Sequence, residues 1–316
     1  MKALHLTTPP SPPSLIEGTA PVPRPGTGEL LIRVCAAGVI STELSWYPTT
    51  HGKDGESRIG AIPAHEFSGT IEDVGEDIGR LEIGREVYGM NDWYSDGDLA
   101  EYCLAPFFAV YQKPSRLTHY EAASVPISAL TAWQGLFDRA RLRSGERVLV
   151  HGAAGGVGVF AVQLARLHGA RVIATASARN RDFVLSLGAE QVIDYAASRF
   201  EDCVNGLDVV FDTVGADTLE RSWGVLGPGG RLVTVVSTVE DSADARVKNA
   251  FFIVEPNQKQ FAEVAALLDD GRLRTVVDTV VPLSQAPEIY TGKLHRKSRG
   301  KLVVAIENQN LPEGKI

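Results

Sequence analysis

A chain of 316 residues is too long for one small core and suits one large or two moderate domains. Its 44% hydrophobic and 22% charged residues exclude a disordered polymer, and its net charge of −8 argues against nucleic acid or an anionic membrane as the main partner. Three cysteines without a Cys-x-x-Cys pair (Cys35, Cys103 and Cys203) suit reduced thiols, not a disulfide frame or a zinc knuckle. The opening MKALHLTTPPSPPS does not read as a signal peptide, and no apolar run is long enough to span a bilayer. The expectation is a soluble cytoplasmic protein.

From Met1 to about Leu117 the chain is rich in Gly, Pro and short alternating runs. Leu30, Ile32 and Val34 alternate with their neighbours, and Gly69–Val74 and Arg85–Met90 read as further short strands between turn residues. Thr118 with Glu121 three residues later is a capping box that opens a helix. Thereafter strands and helices alternate. Arg147–His151, Arg171–Thr175, Asp208–Asp212 and Arg231–Val235 read as buried strands. Val157, Phe160, Ala161 and Leu164 recur at helical spacing, and a second helix runs from about Arg179 to Leu187 before Gly188. Such alternation predicts right-handed crossovers and a doubly wound parallel sheet. Phe261, Val264, Ala265 and Leu268 mark a helical face ending at Gly271, and the strands Thr275–Val281 and Lys301–Ile306 follow. These last strands resemble the opening region in texture. The predicted organisation is therefore one domain of residues 1–120 and 255–316 interrupted by another of residues 121–254.

The strongest chemical signal is His151-Gly152-Ala153-Ala154-Gly155-Gly156-Val157-Gly158, between a predicted strand and a predicted helix. Glycines there permit a tight turn, close backbone approach to a pyrophosphate and close helix–strand packing. The helix start offers free N–H groups and a positive dipole end. The competing reading is a packing turn.

With ISALTAWQGL before it, VQLARLHGARVIATASA after it, and DTVG, AAGVISTEL, IPAHEFSGTIEDVGEDI, FFIVEPNQKQ and RGKLVVAI elsewhere, the chain resembles the medium-chain dehydrogenase/reductase superfamily. Within it, the zinc-free quinone oxidoreductase and alkenal or enone reductase branch is most similar. The resemblance spans nearly the whole length. It implies an α/β fold, with a doubly wound parallel Rossmann sheet plus an irregular, mostly-β GroES-like substrate domain, and an active site in the cleft between them.

At the end of the second strand, about 20 residues past the glycines, an NAD-selective site carries Asp or Glu. Here that place is Ala176, followed by Ser177, Arg179 and Arg181. No carboxylate there opposes a 2′-phosphate, Ser177 can donate to one, and an arginine fork can pair with one. NADPH is the expected cofactor. The resemblance places Arg181 and Tyr195 near that phosphate, and Ala154, Gly155, Gly156 and Val157 along the pyrophosphate. It places Thr131, Val236, Ser237 and Phe252 at the nicotinamide end, with Lys301 nearby. It also implies a homodimer paired through the edge near Phe251–Val254.

Zinc-dependent relatives need three catalytic ligands and a four-cysteine lobe. This chain has Ile40 at the first ligand position, none around Val125-Pro126-Ile127, and only His65 and Glu66 remaining, so no metal is expected. Without a Lewis acid, hydride transfer to a quinone or α,β-unsaturated carbonyl is the natural reaction, the protein orienting the acceptor and supplying a proton. Candidate donors are Tyr47, His51 and Tyr94, with Ser41 able to hydrogen-bond the carbonyl. Each could equally be a surface-loop residue. The pairs Trp46-Tyr47 and Trp93-Tyr94 could form an aromatic wall for flat acceptors. Ile40, where the reductase branch often carries Asn, leaves an NADPH-binding protein of little or no activity as the alternative, with a zinc alcohol dehydrogenase a further and less favoured one.

Overall fold

The computed structural model describes residues 1–7, 14–79, 82–236, 242–294 and 298–306. The chain divides into two compact units. The first comprises Met1–Pro126, Pro256–Lys297 and Lys301–Ile316, and the second Ile127–Glu255 and Ser298–Gly300.

The first unit opens with an antiparallel pair, β1 (Lys2–Leu6) and β2 (Leu15–Thr19). Next come β3 (Glu29–Val39), the one-turn helix α1 (Tyr47–Thr50), β4 (Glu66–Val74), β5 (Glu86–Met90), β6 (Tyr102–Pro106) and β7 (Val110–Gln112). The capping box at Thr118 forms as expected and opens α2 (His119–Ala122). Strand β3 was expected to alternate between core and solvent, yet nearly all of it is buried. Its place explains this: β4 and the last strand of the chain flank it, and apolar clusters cover both faces. Leu30, Ile32 and Val34 pack with Phe67, while Ala37 and Val39 pack with Leu302 and Val304.

In the second unit, α3 (Pro126–Trp133) leads into a widened turn over Gln134–Arg139. The strands β8 (Arg147–Val150), β9 (Arg171–Ala176), β10 (Gln191–Asp194), β11 (Leu207–Asp212) and β12 (Leu226–Thr234) form one five-stranded sheet, in the order β10-β9-β8-β11-β12. Every pairing is parallel, as the alternation of elements predicts. The helices α4 (Gly156–Leu167), α5 (Arg181–Ser186), α6 (Ala216–Ser222) and α7 (Ala245–Ala250) connect or follow these strands. Two features escaped pattern reading. Strand β10 is four residues long, too short to show a period, and β12 starts at Leu226, ahead of the expected Arg231.

The chain then returns to the first unit with α8 (Gln258–Asp269), β13 (Val277–Pro282), α9 (Ala286–Tyr290) and β14 (Lys301–Ala305). Strand β14 pairs antiparallel with β3 and parallel with β13, completing a sheet of seven strands among the described residues. The molecule is thus mixed α/β: a parallel Rossmann-like sheet and a mostly-β unit. Among the described residues no helix is long and apolar enough to cross a membrane.

Candidate functional site

The glycine-rich segment of the second unit forms the turn from β8 to α4. Gly152 has φ +69°, and a Cβ there would stand 2.3 Å from Thr213 Oγ1. At Gly158 a Cβ would stand 2.2 Å from the Gly152 carbonyl oxygen, so that glycine lets the first turn of α4 close on the loop. Gly155 differs. Its Cβ would meet only the Gly152 oxygen, at 3.3 Å. It is exposed and caps α4 with no side-chain hydrogen bond, which leaves the first N–H groups of a twelve-residue helix facing outward. Space and donors here fit the pyrophosphate of a dinucleotide.

The turn is braced from below by His151. Ser222 Oγ donates to the Thr218 carbonyl at 2.6 Å, so it accepts from His151 Nε2–H at 3.0 Å. Nδ1 then carries the lone pair and accepts from Thr175 Oγ1, also at 3.0 Å. The ring is buried against Phe200, and burial pushes its pKa down to about 4. A neutral histidine thus ties the ends of β8 and β9 to α6.

At the end of β9, Ala176 is buried and Ser177 half-buried. Opposite Ala176 in register stands Asp194, whose Oδ1 accepts the N–H of Ala196 in its own loop. Arg181 is exposed and donates through Nη1 to the Val192 carbonyl at 2.7 Å, while Tyr195 is 64% exposed. Sequence reading missed Arg299. Its guanidinium donates to Asn180 Oδ1 at 2.7 Å and the Arg179 carbonyl at 2.8 Å and lies over Phe183, in the segment that follows β9. The adjoining Gly300 N–H donates to the Ala154 carbonyl at 2.7 Å. The run SRGK was visible, but only the returning chain brings it to the glycine turn.

Of the residues expected at the nicotinamide end, Thr131 is buried in α3. Phe252 is buried close to Gly135, in a segment tied to the widened turn after α3 by reciprocal hydrogen bonds between Gln134 and the Glu255 backbone. Val236 is half-buried against Gly215. Gly156 and Val157 are half-buried in the first turn of α4 and Ala154 is buried before it. Ser237 lies outside the described residues.

Lys301 belongs to the first unit, where it is buried and its ammonium pairs with Glu66. A second buried carboxyl, Glu43, accepts a hydrogen bond from the Tyr290 hydroxyl. Burial raises its pKa to about 7 against the lowering influence of that bond and of Lys301. His65 Nδ1 lies 2.9 Å from Asn91 Oδ1. The Asn91 amide nitrogen donates to the Asp96 carbonyl and to Asp98 Oδ1, both at 3.0 Å, so the amide cannot be turned over. His65 Nδ1 therefore carries the proton and Nε2 the lone pair, with no hydrogen-bond partner among the described residues. Burial lowers the His65 pKa to about 4.

Of the expected donors of this unit, Tyr47 opens α1, while Ser41 and Tyr94 sit on loops. Tyr47 is exposed and stacks on His51 at 4.7 Å, Tyr94 lies under the Lys53 ammonium, and Ser41 is exposed just after β3. Trp46 and Trp93 meet edge to face at 5.8 Å, and Trp93 packs on His65 at 5.3 Å.

These donors do not fit a zinc ion. His65 Nε2 offers one ligand, but Glu66 is neutralised by Lys301, Ile40 has no donor atom, and the Cys103 thiol bonds Asp98. Among the described residues no group of three or more His, Cys, Asp or Glu could hold a metal.

Comparison with known proteins matches residues 26–115 to the alcohol dehydrogenase GroES-like domain and residues 187–304 to the zinc-binding dehydrogenase family. A protein of Arthroderma benhamiae named "Probable zinc-binding oxidoreductase, mitochondrial" is 33% identical, with 91% of this chain and 92% of that one aligned. The 2-methylene-furan-3-one reductase of Solanum lycopersicum is 31% identical over 92% of this chain and 74% of its own. The solved quinone oxidoreductase of Coxiella burnetii superposes with a TM-score of 0.85 at 30% identity, covering 97% of this chain and 99% of that one. With this extent of likeness over both units, the chain belongs to the medium-chain dehydrogenase/reductase superfamily of oxidoreductases.

Proposed function

We propose that this protein is an NADPH-dependent oxidoreductase that passes hydride to a quinone or an α,β-unsaturated carbonyl without zinc. The observation that carries the reading is the pairing of an open, glycine-lined helix start with a β9 end that has no carboxylate of its own. Ser177 and the arginines Arg179, Arg181 and Arg299 supply donors and positive charge around that strand end, which suits a 2′-phosphate. The names of the Coxiella and tomato relatives support the acceptor class.

When bound, the reduced nicotinamide supplies the hydride. The first turn of α4 holds the pyrophosphate, and Thr131, Val236, Ser237 and Phe252 are proposed to orient the nicotinamide end. In the first unit, Ser41 is the proposed hydrogen-bond donor to the acceptor oxygen, and Tyr47 or Tyr94 the source of the proton that quenches an enolate. His65 cannot fill that role at neutral pH, because its one ring proton is held by Asn91 and its buried Nε2 carries a lone pair. A homodimer joined through the Phe251–Val254 edge and a cytoplasmic location complete the reading.

The test is NADPH oxidation by metal-free protein with a small quinone, a short enal, a longer enone and a simple aldehyde, with NADH run in parallel. Turnover of quinone or enal with NADPH in preference to NADH is the expected result. Turnover that appears only on adding zinc defeats the proposal, as does tight nucleotide binding with silence on every acceptor.

A further inference from the structure

Arg58 lies in the loop between α1 and β4, and its side chain is only 13% exposed. Its backbone N–H donates to the Thr50 carbonyl at 2.9 Å, and His51 bridges Ser57, which folds this loop back along α1. The guanidinium then reaches in two directions. Nη1 donates to the Pro48 carbonyl in α1, and Nη2 to the Ser95 carbonyl at 2.7 Å. The Trp93 carbonyl lies 3.5 Å from Nη1, and Asp96 Oδ1 lies 3.7 Å from Nη2. Burial lowers the pKa of the group, with Asp96 and Asp92 opposing that shift. An arginine is required for this arrangement: a planar fork with five donors can bridge carbonyls on two segments, whereas an ammonium is a single point.

The two bridged segments carry the two tryptophans. Trp46 immediately precedes α1, Trp93 precedes Tyr94 and Ser95, and their rings meet edge to face at 5.8 Å. Such a pair contributes on the order of 1 kcal/mol, too little to hold two loops together without a second constraint. The pair of Lys53 with Asp92, at 3.8 Å between exposed groups, adds little. We propose that Arg58 is a positioning residue for acceptor specificity. By clipping α1 to the 93–96 turn it holds Trp46 against Trp93 as one rigid aromatic wall, which selects flat, ring-containing acceptors over small ones. The inference rests on the proposed function, because it takes these loops to be where the acceptor binds.

The experiment compares wild type with Arg58→Lys and Arg58→Met in turnover, NADPH affinity, tryptophan spectra and thermal melts. For a two-ring quinone, kcat/KM is expected to fall about tenfold, mainly through KM, while a short enal changes less than about threefold. NADPH affinity stays as in wild type. Near-ultraviolet circular dichroism loses the signal that a Trp46→Phe variant assigns to the tryptophan pair, and acrylamide quenching rises. Equal losses on both acceptors overturn the specificity role, and an unchanged tryptophan signal in Arg58→Lys overturns the clip. If wild type turns over no acceptor, the proposed function fails on its own, and the spectra still decide the clip. Thermal melts of Arg58→Lys, which keeps the charge, separate a shifted loop from a misfolded unit.

Discussion

Acidification should weaken the second unit and spare the first, because the first sets buried carboxyls of raised pKa against its buried histidine. In the second unit, His151 is held neutral with a pKa of about 4. Unfolding returns it to about 6.5, so below that pH the unfolded chain binds a proton that the folded one refuses. Stability is therefore lost as pH falls from about 6.5 towards 4. At about pH 5 the two values imply a loss of about 2 kcal/mol relative to neutral pH, or roughly 30-fold in the opening equilibrium. Glu146 and Asp244, held below the usual carboxylate range by hydrogen bonds from Arg231 and Arg246, change stability only at lower pH.

In the first unit His65 imposes a loss of similar size over the same window. Glu43 acts oppositely. Its folded pKa of about 7 lies above its ordinary 4.5, so its contribution is greatest below 4.5 and is lost as pH rises through 7. On acidification to about pH 5, Glu43 restores about 2–3 kcal/mol, which offsets His65. Hydrogen exchange read by mass spectrometry reports each unit separately, and after correction for intrinsic rates the protection of β8, β9 and β11 should fall about 30-fold from neutral pH to about pH 5. The protection of β3, β4 and β14 should not fall, because Asp98, whose pKa burial also raises, adds to the offset. His151→Gln, less stable at neutral pH, should lose the acid dependence of the second unit. Equal protection of β8, β9 and β11 at the two pH values, or an acid dependence that survives in His151→Gln, would refute the reasoning.

The two glycines of the turn should separate folding from binding. Gly158→Ala drives a Cβ into backbone and should cost roughly 2–4 kcal/mol in denaturant melts, whereas Gly155→Ala should fold within about 1 kcal/mol of wild type and weaken NADPH at least about tenfold by titration. Ser177→Asp places a carboxylate at the end of β9 and should reduce the preference for NADPH over NADH about tenfold in paired binding curves, with no change in melting. Nitrogen NMR of the His65 ring should show a protonated Nδ1 and a pyridine-type Nε2 from about pH 5.5 to 8, and Asn91→Ala should release that fixed tautomer.

The glycine run with its flanking strand and helix, the capping box at Thr118 and the parallel alternation of elements were legible in the sequence, because each is encoded by residues close together in the chain. Superfamily membership was legible for the same reason: its motifs are contiguous words. The burial of β3 on both faces was not legible, since its neighbour β14 arrives more than 260 residues later. Only the tertiary structure pairs Lys301 with Glu66, Tyr290 with Glu43, and Arg299 with the loop after β9. These are charges and hydrogen bonds between distant segments, and no local period announces them. Sequence determined the kind of machine, because backbone turns and hydrophobic periods are local properties. The protonation states of His65, His151 and Glu43 were decided by folding, since burial and a partner's donor or acceptor exist only once the segments have met.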